Sequence, residues 1–193
     1  MKTFRLLHAP VVDNSSELIA ALRRAKPRIA VIGGSSRLGW RWRRTAGRSY
    51  AAVIGRRGTA ALERGCQKID VKPDLFAAYE VTIIDGIPVA TIGIDSMAEF
   101  GRIPVEQIID LVADLRERHE GVEIVFACLL YMSDQHRLLV RDLFDYLDCS
   151  WLNEGDAWVA VTDGLTIVNW EINRPELPQA FPSFIEVDLA RVG

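Results

Sequence analysis

Two Asp-Gly dipeptides, Asp85-Gly86 and Asp163-Gly164, each stand between apolar runs of strand length, at 79–84 and 87–94 and again at 157–161 and 165–172. Asp-Gly supplies the positive φ angles of a tight turn, so each dipeptide predicts a pair of adjacent antiparallel strands. Between the two lie an amphipathic stretch, an almost wholly apolar stretch at 122–130 and a second amphipathic stretch. The apolar stretch has the composition of a central strand, and its flanks have helical period.

The first of these helices is expected to open at Pro104, a residue suited to a first helical turn, and to bury Ile108, Leu111, Val112 and Leu115. Asp114 and Arg118 are ordered for an i,i+4 pair, and Gly121 ends the helix. Ser133 is the expected cap of the second, over 134–147, with Val140, Leu143, Phe144 and Leu147 on its apolar stripe. Pro88 lacks a donor N–H, which places it at a sheet edge or bulge.

Before residue 78, strands are expected at 4–8, 28–32 and 50–54. Asn14-Ser15-Ser16-Glu17 has capping-box form, and Leu18, Ala21, Leu22 and Ala25 make a helical stripe that must stop before Pro27. Thr59 reads as the cap of a short helix ending at Gly65. Pro175, Pro178 and Pro182 mark a loop ahead of a last strand at 184–189. These elements predict an α/β (α+β) chain forming one domain over 1–193, with a mixed, mostly antiparallel sheet and flanking helices.

No run approaches the eighteen or so apolar residues of a membrane span, and the first residues, broken by His8 and Pro10, do not resemble a signal peptide. Cys66, Cys128 and Cys149 are odd in number and widely spaced, so a cytoplasmic, reducing environment is expected, with Cys128 a buried hydrophobe.

Charge is distributed very unevenly. Residues 22–68 hold thirteen basic side chains against Glu63 alone, while 69–193 hold eight basic and twenty-three acidic ones. The densest part comprises Arg37, Trp40, Arg41, Trp42, Arg43, Arg44 and Arg48, followed by Arg56 and Arg57. Interleaved aromatic faces and guanidinium forks suit single-stranded nucleic acid, with stacking worth about 1–3 kcal/mol per base. Those nine residues are the expected nucleic-acid or anion contacts. Frequent Arg and Gly also mark 33–58 as the segment expected to be mobile.

Catalytic motifs are thin. Gly34-Ser35-Ser36-Arg37-Leu38-Gly39 has the two-glycine spacing of a phosphate loop, but Trp40 and Arg41 stand where Lys and Ser/Thr should follow. Dinucleotide-fingerprint spacing is missing as well. His8, His119 and His136 are scattered, and Asp134 with His136 does not present two ligands on one helical face, so no metal site is expected. Asp142, Asp145 and Asp148 read as a solvated face. Asp95, Ser96 and Glu99 follow a strand end and are candidates by position.

From Tyr79 to Glu171 the order hairpin, helix, strand, helix, hairpin resembles the second half of the GNAT acyltransferase superfamily. The resemblance implies coenzyme A as cofactor, its pyrophosphate held at Phe100-Gly101-Arg102-Ile103-Pro104-Val105, with Gly101 and Arg102 the matching residues. Phe144 occupies the place of the family's usual acid, a Tyr. The combined expectation is a polyanion-binding protein, on the scaffold of a divergent transferase acting on a nucleic acid or aminoacyl substrate. Its alternatives are a non-enzymatic assembly protein, homo-oligomeric or docked on acidic surfaces, and a small-molecule acyl-CoA-dependent N-acyltransferase.

Overall fold

The computed structural model describes residues 2–9, 15–33, 51–55, 61–68, 76–96, 105–130, 134–173 and 184–193. Where one sheet was expected, the chain builds two. β1 (Thr3–Ala9), β2 (Ile29–Gly33), β3 (Ala51–Gly55), β10 (Leu165–Asn173) and β11 (Phe184–Arg191) form the first, in the order β10-β11-β1-β2-β3. β4 (Ala61–Lys68), β5 (Phe76–Ile84), β6 (Ile87–Ser96), β7 (Glu123–Leu130), β8 (Cys149–Glu154) and β9 (Ala157–Thr162) form the second, in the order β4-β5-β6-β7-β9-β8. Each contains one parallel pair joined by a helix: β1 and β2 through α1 (Ser15–Ala25), and β6 and β7 through α2 (Val105–Arg118). A third helix, α3 (Asp134–Tyr146), follows β7.

Period-2 alternation divides the apolar residues among three layers. Leu6, Val31, Val89, Val125, Val159 and Val187 meet between the sheets. Leu7, Ala9, Ala30 and Ile32 face the other way and pack on Leu18, Ala21 and Leu22 of α1. On the outer face of the second sheet, Ile92, Ile124, Phe126 and Trp158 receive Leu111 and Leu115 of α2 and Leu143 and Phe144 of α3. The result is a four-layer α+β sandwich, helix on sheet on sheet on helix. Among the described residues no helix is long and apolar enough to cross a membrane.

Ion pairs fasten the layers. Arg5 grips its cross-strand partner Asp188 with two parallel bonds of 2.7 and 2.9 Å. Arg5 and Arg24 also converge on Glu186, at 3.3 and 2.5 Å, tying α1 to β11. Glu63 on β4 accepts from Tyr79 Oη at 2.7 Å, lies 2.7 Å from His119 Nε2, and pairs with Arg118. Arg118 therefore serves this junction and the Asp114 carbonyl, not the expected Asp114 carboxylate.

Several expectations change. Only the first Asp-Gly forms a hairpin: Asp85 and Gly86 have φ of 50° and 92°, and β5 pairs with β6. Gly164 is not among the positive-φ residues, and there the chain leaves the second sheet, so β9 pairs with β7 and β8, and β10 with β11. The second hairpin is instead β8–β9, turned at Gly155 with φ of 61°. The short helix expected before Gly65 is strand β4, paired antiparallel to β5. Pro88 lies in an interior strand, at a position ahead of the β6–β7 ladder, which begins at Val89, so its missing N–H breaks no bond there.

Candidate functional site

Both parallel pairs point to the same end of the sandwich. A cavity is lined by Lys2 and Phe4 at the start of β1, by Ile84, Asp85 and Ile87 around the β5–β6 turn, by Leu165 at the start of β10 and by Arg191 near the end of β11. β1 and β6 therefore begin side by side, and β2 and β7 run parallel to them. All four strands end at the opposite pole, with Ala9, Gly33, Ser96 and Leu130. At about 3.3 Å per residue, the seven residues of β1 separate the two poles by roughly 20 Å. Open α/β sheets bind ligands outside the carboxyl ends of their parallel strands, and here two such edges face one another.

His8 closes the floor of this pole. Phe4 and Leu6 lie in the inter-sheet core, and alternation places His8 on the same face, one residue before β1 ends. Its cross-strand neighbours are Val31 and Ile185. The residue is 2% exposed, and among the described residues neither ring nitrogen has a hydrogen-bond partner. Burial pushes its pKa down to about 3, so the imidazole is neutral at physiological pH.

A second polar group stands at the rim. Arg137, in the first turn of α3, donates from Nη2 to Asp156 Oδ1 at 2.9 Å, and Asp156 immediately precedes β9, whose Ala157 pairs with Leu129. Burial raises the Asp156 pKa, partly offset by Arg137. The Arg137 Nε–H is buried and has no partner among the described residues. Asn153 holds the neighbouring turn by donating to the Gly155 and Ala157 carbonyls at 2.6 and 3.4 Å. Asp95 and Ser96 reach this pole as the last residues of β6, paired with Leu129 and Leu130. Among the described residues no group of three His, Cys, Asp or Glu could hold a metal ion.

Arg37, Trp40, Arg41, Trp42, Arg43, Arg44, Arg48, Arg56 and Arg57 all lie outside the described residues, as do Glu99, Gly101 and Arg102. The points that bracket them are described. Gly33 and Ala51 are direct cross-strand partners at the carboxyl pole, and they are the two described ends of the connection formed by residues 34–50. Gly55, which precedes Arg56 and Arg57, pairs with Ile29 at the far end of β2. In sequence, Arg37 to Arg48 therefore precede β3, and Arg56 and Arg57 follow it. Two further basic residues of the same stretch are used inside the fold, Arg24 on Glu186 and Arg64 on the fully buried Glu80 at 2.9 Å. His8 and the Arg137–Asp156 pair are additions that the sequence reading missed. The available signal for His8 was its period-2 spacing from the apolar Phe4 and Leu6 in β1, which puts it on their face.

The architecture is that of the endonuclease/exonuclease/phosphatase fold. No family model and no curated protein matches the sequence. Zebrafish (D. rerio) TDP2 complexed with a single-strand DNA product superposes with a TM-score of 0.72 at 9% identity, covering 98% of this chain and 100% of that one. The human Nocturnin catalytic domain with bound sulfate anion gives 0.72 at 8% identity, covering 98% and 94%. An endonuclease/exonuclease/phosphatase from Bacteroides vulgatus gives 0.72 at 11% identity, covering both chains fully. These likenesses overturn the GNAT resemblance. The transferase expectation goes with it, and Gly101 and Arg102 lose their reason to be a coenzyme A loop.

Proposed function

We propose that this protein binds a nucleic acid, or another phosphate-rich ligand, across the carboxyl pole of the sandwich. The observation that carries the reading is the splice between Gly33 and Ala51. Direct strand partners lie about 5 Å apart and are ordinarily joined by two to five residues. Here residues 34–50 intervene, and they contain Trp40, Trp42 and five arginines. A connection of that length at a ligand-binding edge is ordinarily functional. Arg37, Arg41, Arg43, Arg44 and Arg48 would neutralise phosphates while Trp40 and Trp42 stack on bases. Arg56 and Arg57 follow the other end of β3, so in this reading they belong to an outlying contact.

The fold neighbours support the choice of ligand, since one was crystallised with a DNA product and another with a sulfate anion. The acidic remainder of the chain would confine a polyanion to the basic pole. A fluorescence-anisotropy titration with single-stranded DNA, duplex DNA and RNA at several salt concentrations tests this. For a single strand, log affinity should fall against log salt with a slope of about −0.7 per neutralised phosphate. Arg41→Ala/Arg43→Ala/Arg44→Ala should flatten that slope by about 2 units, and Arg56→Ala/Arg57→Ala by less. No binding at low salt refutes the reading. A salt-sensitive native mass without any ligand would then favour an assembly interface.

A further inference from the structure

We propose that β10 is a docking edge for a second copy of this chain, the two β10 strands pairing antiparallel about a two-fold axis at Trp170. Among the described residues the sandwich has four edge strands, and an edge strand offers unpaired N–H and C=O groups to any other extended chain. β3 and β8 limit that hazard by length, with five and six residues, and β4 carries Glu63, Arg64 and Lys68. β10 is the longest of the four at nine residues, and it contains no Pro, no Lys or Arg and a single acid, Glu171. Four consecutive residues, Val168, Asn169, Trp170 and Glu171, are exposed, Val168 at 46% and Trp170 at 55%.

Trp170 and Ile172 share one face of the strand, opposite Val187 and Ile185 of β11, which belong to the inter-sheet core. Ile172 packs against that core, and Trp170 is left open at its margin. A second copy complements this strand residue for residue. With the axis at Trp170, Val168 stands opposite Ile172 of the other copy, a β-branched apolar pair, and Asn169 stands opposite Glu171, an amide against a carboxylate. The two indoles meet at the centre, where a self-complementary contact is most fully desolvated. An axis at Glu171 would set two carboxylates against each other, and an axis at Asn169 would set Ile167 against Glu171. The bulge at Val168 in the ladder to β11 bends the strand there, so the new ladder runs from Val168 to Ile172 on each copy. A contact that short gives a dimer whose population depends on protein concentration. Because the paired strands run oppositely, the carboxyl poles of the two copies point in opposite directions and lie outside the contact.

Sedimentation velocity of the full chain over a range of concentrations should show a monomer–dimer equilibrium that salt does not weaken, since no ion pair crosses the contact. Trp170→Lys sets two cations on the axis in place of the indoles and should weaken the dimer at least about tenfold. Register is read by cross-linking. Directly opposite residues have Cα atoms about 4.5–5.5 Å apart, within disulfide reach, and diagonal ones about 7–8 Å apart, beyond it. An equimolar mixture of Asn169→Cys and Glu171→Cys proteins should therefore give a disulfide-linked dimer on oxidation. Either variant alone should give no more than the unaltered protein with its free Cys66, Cys128 and Cys149. A monomer mass at every concentration would overturn the proposal. So would a dimer that salt dissolves, which would point to the arginine block instead, a dimer that Trp170→Lys leaves intact, or equal cross-linking in the single variants and the mixture.

Discussion

His8 makes the acid stability of this protein depend on one buried imidazole. Its pKa is about 3 in the folded chain, against an ordinary value near 6.5 when unfolded. Above pH 6.5 the ring is neutral in both states and contributes no slope. Below it the unfolded chain gains a proton that the folded chain refuses, so stability falls as pH drops, until about pH 3. Each pH unit in that window is worth about 1.4 kcal/mol, so moving from pH 7.5 to pH 5 should cost about 2 kcal/mol. Other groups titrate lower. Asp188, held down chiefly by its hydrogen bond to Arg5, and Glu63, whose hydrogen bonds outweigh its burial, lose their stabilising charge only as pH falls through the carboxylate range. The difference between the wild type and His8→Leu isolates the imidazole. Urea denaturation of both at pH 7.5 and pH 5 should show the wild type losing about 2 kcal/mol more than the variant. The variant should also gain about 1–3 kcal/mol at pH 7.5, because two buried nitrogens with no partner among the described residues are removed. Equal losses in the two proteins would refute this account. They would mean that His8 is solvated or paired in solution.

Three other outcomes follow from the packing. Glu63→Gln should cost about 1–3 kcal/mol in urea denaturation, because Tyr79, His119 and Arg118 all converge on that carboxylate. The hydrogen exchange of β4 should rise with it, since Glu63 is the tie between this edge strand and the end of α2. Trp158→Ala should cost about 3–5 kcal/mol, because the ring is 2% exposed and packs, tilted, between Phe144 and Trp151 at centroid distances of 6.1 and 5.4 Å. Cys149 should resist a disulfide reagent at pH 8 in the native protein and react on unfolding, since burial pushes its thiol up to about 12.

The helices and the central strand were legible because each carries a one-sided signal. Leu111 and Leu115 recur at helical period, and β7 is apolar on both faces. Partnership between strands was not legible. Val125 faces one layer and Phe126 another, so nothing local says whether the layer beyond β7 is a helix or a second sheet. The two Asp-Gly turns show the same gap. They share a dipeptide, yet one folds with positive φ and the other passes the chain between sheets beside Glu123. β8 escaped notice because its residues are nearly all half-buried, which removes the alternation that marks a strand.

This gap also explains why half of the sandwich could resemble an acyltransferase. A hairpin, a helix, a parallel strand and another helix form one sheet covered on one face, and that unit is compatible with more than one fold. What distinguishes them lies far away in sequence: a second parallel pair, β1 and β2, stacked so that its carboxyl ends meet those of β6 and β7. The site follows from the same convergence. Within the sequence, Arg37 to Arg57 is a single charged block, but β3 carries the chain from one pole to the other between Arg48 and Arg56. Charge density alone therefore overcounts the contacts available to one ligand. Along the chain, five arginines and two tryptophans precede β3, which starts at the carboxyl pole, and two arginines follow it, beyond Gly55 at the other end. The paired alanine variants measure that division directly, because salt slopes count phosphates neutralised rather than arginines present.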